Sequence, residues 1–167
     1  MTAVTPDDLV EIHRIQQLKH RYMRGIDQKD WDLVESCFLP EASASYGGGA
    51  YEFDSRDGIM GFLRESMGST NMLTSHRVGQ PEIELGDDGT ATGIWALQDV
   101  VVHLDFGVTI QGACFYEDRY KRDAEGEWRI AHTGYKRTYE ELWPRASLEG
   151  LQLTAHRWET DGRSKLG

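Results

Sequence analysis

The chain has 167 residues with no break in composition, enough for one domain that buries roughly 70% of its unfolded surface and holds both a core and a pocket. Its 28 acidic against 18 basic residues give a net charge of −10, which repels phosphate backbones and anionic membranes and excludes nucleic acid and membrane as expected partners. No apolar run approaches the roughly 20 residues of a membrane span, and the opening MTAVTPDDLVEIHRIQQLKHR lacks an apolar signal core, so a cytoplasmic protein is expected.

From Pro6 to about Gln28, Leu9, Ile12, Ile15, Leu18, Tyr22 and Ile26 recur at steps of three and four, which predicts a long amphipathic helix capped by Thr5 or Asp7. Asp30 opens a short second helix with Trp31, Val34 and Phe38 on one side, ended by Pro40. Two short strands, 42–46 and 50–53, flank a turn at Gly47, Gly48 and Gly49, which lacks the lysine and hydroxyl of a phosphate loop. A third helix starts at Ser55, with Ile59, Phe62, Leu63 and Met67 facing inward.

After Asn71 the period becomes two. Met72, Thr74, His76 and Val78 share a face, Asp87–Gly89 turns into a strand from Thr90 to about Leu104, a third strand runs from about Val108 to Lys121, and a fourth from Trp128 to Tyr139. The helices that precede the sheet must cover its apolar face, which predicts an α+β fold with a pocket between the layers. Residues 1–140 form the expected domain. Residues 141–167 read as a partly ordered tail that crosses the pocket mouth or a partner subunit. Its Ser164, Lys165 and Leu166 do not make a terminal peroxisomal signal, because Gly167 follows them. Cys37 and Cys114 have no metal-ligand spacing and read as buried free thiols.

Four polar residues stand beside apolar stretches. His76 is either a satisfied core histidine or a proton carrier. Asp99 shares its phase with Trp95, Leu97 and Val101, and burial there costs several kcal/mol unless it is paired, for example by the His76 N–H, or solvated at a bulge. Tyr22 is either a core phenol or a donor to a substrate oxygen. Asp27 lies roughly 140° from Tyr22 around an ideal helix, so it faces solvent unless Gly25 distorts the end. Lys136 and Arg137 point to opposite faces, and the inward one is placed to hold an anionic or carbonyl group. His103 lies on the pocket-facing strand, and with Asp105 and His132 it suggests a weak metal alternative. Ile94, Ala96, Val100 and Val102, opposite Asp99, predict a homodimer or higher assembly through the sheet.

Tyr22 and Asp27 in RYMRGID, His76 in TSHRVG and Asp99 in WALQDVVVH, together with the order of elements over about residues 5–140, resemble the SnoaL-like branch of the nuclear-transport-factor-2-like superfamily. Within it the pattern is similar to the dehydratases that act on 7α-hydroxylated bile acids and on scytalone. The resemblance implies a cone of curved, mixed or antiparallel sheet closed by three N-terminal helices, commonly dimeric, with the helix-borne Tyr and Asp both reaching the pocket. It also implies a lyase without cofactor or metal, acting on a hydrophobic, polycyclic or steroid-like hydroxylated carbonyl compound. In that reading His76 is base and then acid, Tyr22 an oxyanion donor, and Asp27 and Asp99 orient the imidazole. The same scaffold hosts isomerases, polyketide cyclases, a dehydrochlorinase with an Asp and His dyad, and noncatalytic domains, which stay as alternatives.

Overall fold

Helix α1 (Pro6–Gln28) starts where the sequence supplies both halves of a capping box: the Thr5 side chain accepts from the Asp8 N–H and the Asp8 carboxylate accepts from the Thr5 N–H. A computed structural model describes residues 4–166 of the chain. Met1–Ala3, part of the opening read for leader character, and Gly167, which follows Ser164–Leu166, lie outside the described residues.

The buried face of α1 carries Ile15, Leu18, Lys19, Tyr22, Met23 and Ile26, while Leu9 at the expected start of that stripe is exposed. Gly25 does not distort the helix. It lets α2 (Trp31–Ser36) approach, since a Cβ at this position would lie 2.7 Å from the Val34 side chain. Helix α2 is shorter than its apolar spacing predicts, and Phe38 opens strand β1 (Phe38–Tyr46) instead. Pro40 therefore sits inside a strand. It is tolerated because the parallel pairing of β1 with β6 is irregular between Phe38 and Ser43, where a missing N–H breaks no regular ladder.

The three-glycine turn leads to β2 (Tyr51–Phe53), and α3 (Arg56–Met67) follows with Ile59, Met60 and Leu63 buried. Four long strands complete the chain: β3 (Met72–Leu85), β4 (Thr90–His103), β5 (Val108–Arg122) and β6 (Trp128–Pro144). They form one mixed sheet in the order β2-β1-β6-β5-β4-β3, antiparallel except for β1 beside β6, and it does not close. Helix α1 packs along β3 and α3 packs on β1, so the helices and the sheet's inner face enclose a cone. Strand β6 runs four residues beyond the expected end of the domain. Residues 154–165 then fold back on themselves through Lys165 N–H to Thr154 O and through His156, whose Nδ1 accepts from the Trp158 and Glu159 N–H groups.

No helix among the described residues is long and apolar enough to cross a membrane. Cys37 and Cys114 are buried and unpaired, and burial raises both thiols to about 11.

Candidate active site

A cavity of about 140 Å³ lies between α1, α3 and the inner face of β3–β6, and it opens beside the exposed Ser66. Register places His76 on β3 directly opposite Asp99 on β4, but the two do not pair with each other. His76 instead turns to α1. Its Nδ1 lies 2.6 Å from Asp27 Oδ1, its backbone N–H donates to Oδ2 at 2.9 Å, and the Thr74 hydroxyl donates to Oδ1 at 2.8 Å. The carboxylate thus holds the strand and the ring at once. Because an ionised carboxylate only accepts, the short Nδ1 contact places a proton on Nδ1, and in the neutral ring Nε2 is then the acceptor.

Asp27 reaches this position although it stands far from Tyr22 around the helix. His76 lines both the cavity and a shallow groove on its far side, where Asp27 lies with Arg24 and Arg77. Tyr22 faces the cavity directly and Asp27 acts from behind the imidazole, so no helix distortion is required.

Asp99 is 4% exposed and takes Arg137, not the imidazole. The guanidinium donates from Nη1 to Oδ1 at 2.5 Å and from Nη2 to Oδ2 at 2.8 Å, while its Nε lies 3.1 Å from Glu140. Two irregularities aim this side chain. The β5–β6 register slips at Ala113/Cys114, so Thr138 is an extra residue on β6, and Gly112, the β4-register partner of Asp99, leaves room for the fork. A Cβ on Gly112 would lie 2.9 Å from Arg137 Nη1 and 2.8 Å from Tyr139 O. Arg137 is therefore the inward member of its pair, and Lys136 lines a separate groove on the sheet's outer face with Phe115 and Gly48. Its two carboxylate partners hold the Arg137 guanidinium even more firmly protonated than usual.

The floor is phenolic. Tyr22 and Tyr46 hydroxyls lie 3.1 Å apart, with Tyr116 and Tyr135 beside them. Burial pushes the Tyr22, Tyr46 and Tyr116 phenols upward, so they stay protonated donors. Beneath them Lys19, fully buried, lies 2.7 Å from Asp118 and 3.7 Å above the Tyr116 ring. Asp118 also accepts from the Tyr120 and Thr133 hydroxyls, and Tyr120 in turn accepts from Trp95 Nε1.

Leu97 and Val101 line the cavity as their phase predicts. Trp95 and His103 do not. Trp95 is spent in the core network, and His103 packs on Phe106 with ring centroids 4.4 Å apart. The suggested metal set is not assembled, because His103 and His132 pair with positions of β5 eleven residues apart, roughly 36 Å along a strand. His132 bonds Ser43 and Asp105 bonds Asn71. Lys29 donates to the Met67 carbonyl at 2.6 Å beneath the Trp158 ring, so the tail rests on the residue that joins the ends of α1 and α3.

Tyr46, Tyr116, Lys19 and Asp118 were not singled out from the sequence. The signal existed: Tyr46 follows Ala42 and Ala44 in phase, Lys19 lies in the α1 stripe, and Asp118 alternates between Tyr116 and Tyr120 as Asp99 does between Leu97 and Val101.

An open α+β cone whose helices close a cavity over the inner face of a mixed sheet defines the class. Residues 7–134 match the model of the SnoaL-like domain, and the chain belongs to that family. Solved structures agree on the fold. A scytalone dehydratase-like protein of Novosphingobium aromaticivorans superposes with a TM-score of 0.76 at 18% identity, covering 83% of this chain and 91% of that one. The hexachlorocyclohexane dehydrochlorinase LinA-type3 of Novosphingobium barchaimii gives 0.74 at 17%, with 88% and 96% covered. ActVI-ORFA of Streptomyces coelicolor gives 0.65 at 16%, with 76% and 96% covered.

Proposed function

We propose that the protein is a cofactor-independent carbon–oxygen lyase that removes water from a hydrophobic hydroxylated carbonyl compound. The observation that carries this reading is the Asp27–His76 pair, in which Nδ1 is committed to the carboxylate while the ring lines the cavity. His76 Nε2 takes the proton from the carbon beside the carbonyl, and the C–H electron pair moves onto the carbonyl oxygen. One phenolic proton of the Tyr22–Tyr46 pair bridges the two hydroxyls, and the other is directed to that oxygen as charge develops. The enolate then expels the hydroxyl from the next carbon. The departing oxygen takes the proton from His76, so water leaves and the imidazole returns to its starting state.

Asp99 has no part in orienting His76 in this scheme. It fixes Arg137 as part of the cavity wall. The test is incubation with hydroxy ketones followed by mass analysis. Loss of water is expected. A product of unchanged mass would reassign the site to an isomerase or cyclase, and tight binding without any conversion would make it a binding domain.

The outer sheet face leaves Ile94, Phe115 and Tyr139 exposed by 42%, 54% and 42%, which supports a homodimer through this surface. Light scattering at micromolar concentration should report twice the chain mass, and a monomer would refute the assembly. The buried unpaired cysteines suit a reducing compartment, which supports a cytoplasmic location.

A further inference from the structure

The cavity's size and charge narrow the ligand. At about 140 Å³ it matches engineered apolar cavities of about 150 Å³ that hold a single benzene ring, and it falls below the roughly 300 Å³ at which pockets for drug-sized ligands begin. Its apolar walls are Met23, Ile26, Phe62, Leu97 and Val101. A fused four-ring skeleton would leave most of its apolar surface outside that space, in solvent, which runs against the steroid-like substrate expected from the sequence.

Charge selects further. Besides His76, Arg137 is the basic side chain that lines the cavity among the described residues, and Asp99 fills its fork while Glu140 takes Nε. Lys19 beneath the floor is matched by Asp118. An anionic ligand would meet Asp99 beside it and Asp27 behind the imidazole, with no open countercharge while His76 is in the neutral form that a base needs, and a desolvated, unpaired charge costs several kcal/mol. The remaining polar groups are phenols and one imidazole nitrogen, which suit neutral oxygens.

Building on the lyase reading, we propose that this cavity takes an uncharged, compact cyclic β-hydroxy carbonyl compound of one or two rings, with its carbonyl at the Tyr22–Tyr46 pair and its acidic C–H at His76.

The experiment is calorimetric binding of four product-like enones to the intact protein: a one-ring ketone, a fused two-ring ketone, a four-ring steroid ketone, and the one-ring ketone bearing a ring carboxylate. The first two should bind at least about tenfold more tightly than the last two. Equal or tighter binding of the steroid overturns the size limit, equal binding of the carboxylate overturns the charge limit, and no binding by either small neutral ring overturns both.

Two variants locate the ligand. Leu97→Phe fills the cavity from β4 and Ser66→Trp blocks its mouth from an exposed position, so the second remains informative where the first fails to fold. Both should weaken small-ring binding by at least about tenfold, and unchanged affinity in folded Ser66→Trp would place the ligand elsewhere. The matching hydroxy ketones separate this proposal from the reaction. The expected binding order without water loss defeats the lyase and leaves the ligand class, whereas water loss from a steroid alone defeats the class and leaves the lyase.

Discussion

Asp27 and Asp99 place the same chemical group on two sides of one cavity, and their partners turn them into different devices. Asp27 meets an imidazole whose far nitrogen can take and return a proton, while Asp99 meets a guanidinium that stays charged throughout the accessible pH range. The Asp27 side chain is the more exposed of the two, at 24% against 5%. On the lyase reading proposed above, burial alone would therefore select the wrong carboxylate as the working one. What separates proton transfer from a fixed wall is the partner's protonation range and the nitrogen it leaves uncommitted.

The strongest way to break this contrast is to remove the titratable partner. His76→Ala is expected to lower turnover by about 100-fold or more, the range of general acid–base catalysis, while thermal unfolding stays close to that of the wild type. Near-normal turnover in a folded His76→Ala protein would end the distinction between the two pairs.

On the other wall the expected effect is on stability. Arg137→Met strands a nearly buried carboxylate and should cost about 3 kcal/mol in urea unfolding, with most of that recovered when Asp99→Leu is added. An unchanged unfolding midpoint combined with a fall in turnover would move Arg137 from the wall into the chemistry.

Tyr22→Phe sharpens the comparison from the floor. Tyr46 remains beside the site, so turnover should fall about tenfold with product-like affinity unchanged, and the double Tyr22→Phe, Tyr46→Phe variant should fall further. Equal losses in affinity and turnover would mean that the phenols bind ground states only.

The smallest effect concerns pH. The folded-state values of Tyr22, Tyr46, Tyr116 and Tyr120 are raised by burial, so the unfolded chain loses phenolic protons first as pH passes about 10. The stability associated with these neutral phenols is fully present below that pH and declines above it. Urea midpoints measured from about pH 8 to 11 should fall across the upper part of that window, and a flat profile would contradict the burial of the floor.

Much of this architecture is legible in the sequence because periodicity reports which face is buried. The strand phases of His76 and Asp99 and the stripe of α1 came through on that basis. Partner choice did not, because it depends on offsets that period-two reading cannot contain. Adjacent register suggests His76 with Asp99, yet the extra residue at Thr138 and the absent side chain at Gly112 carry Arg137 onto Asp99 and leave His76 to a helix. Phe38 failed for a related reason: helical spacing continues through it, while the strand that begins there is stabilised by a partner, Ile130, nearly a hundred residues away. Cavity volume was likewise out of reach, since it follows from how far α1 and α3 stand off the sheet.

The Lys19–Asp118 pair has a consequence for how this chain can diversify. Each member is fully buried and the carboxylate also holds Tyr120 and Thr133, so a single replacement at either position leaves an uncompensated charge that costs about 3–5 kcal/mol, a large share of a domain's usual margin. Joint replacement by apolar residues avoids that penalty, but it requires two coding changes at once. The floor is thereby held constant by epistasis, and new ligand preferences are accessible one step at a time through Phe62, Met67 and Val101, whose side chains have no such partner to lose.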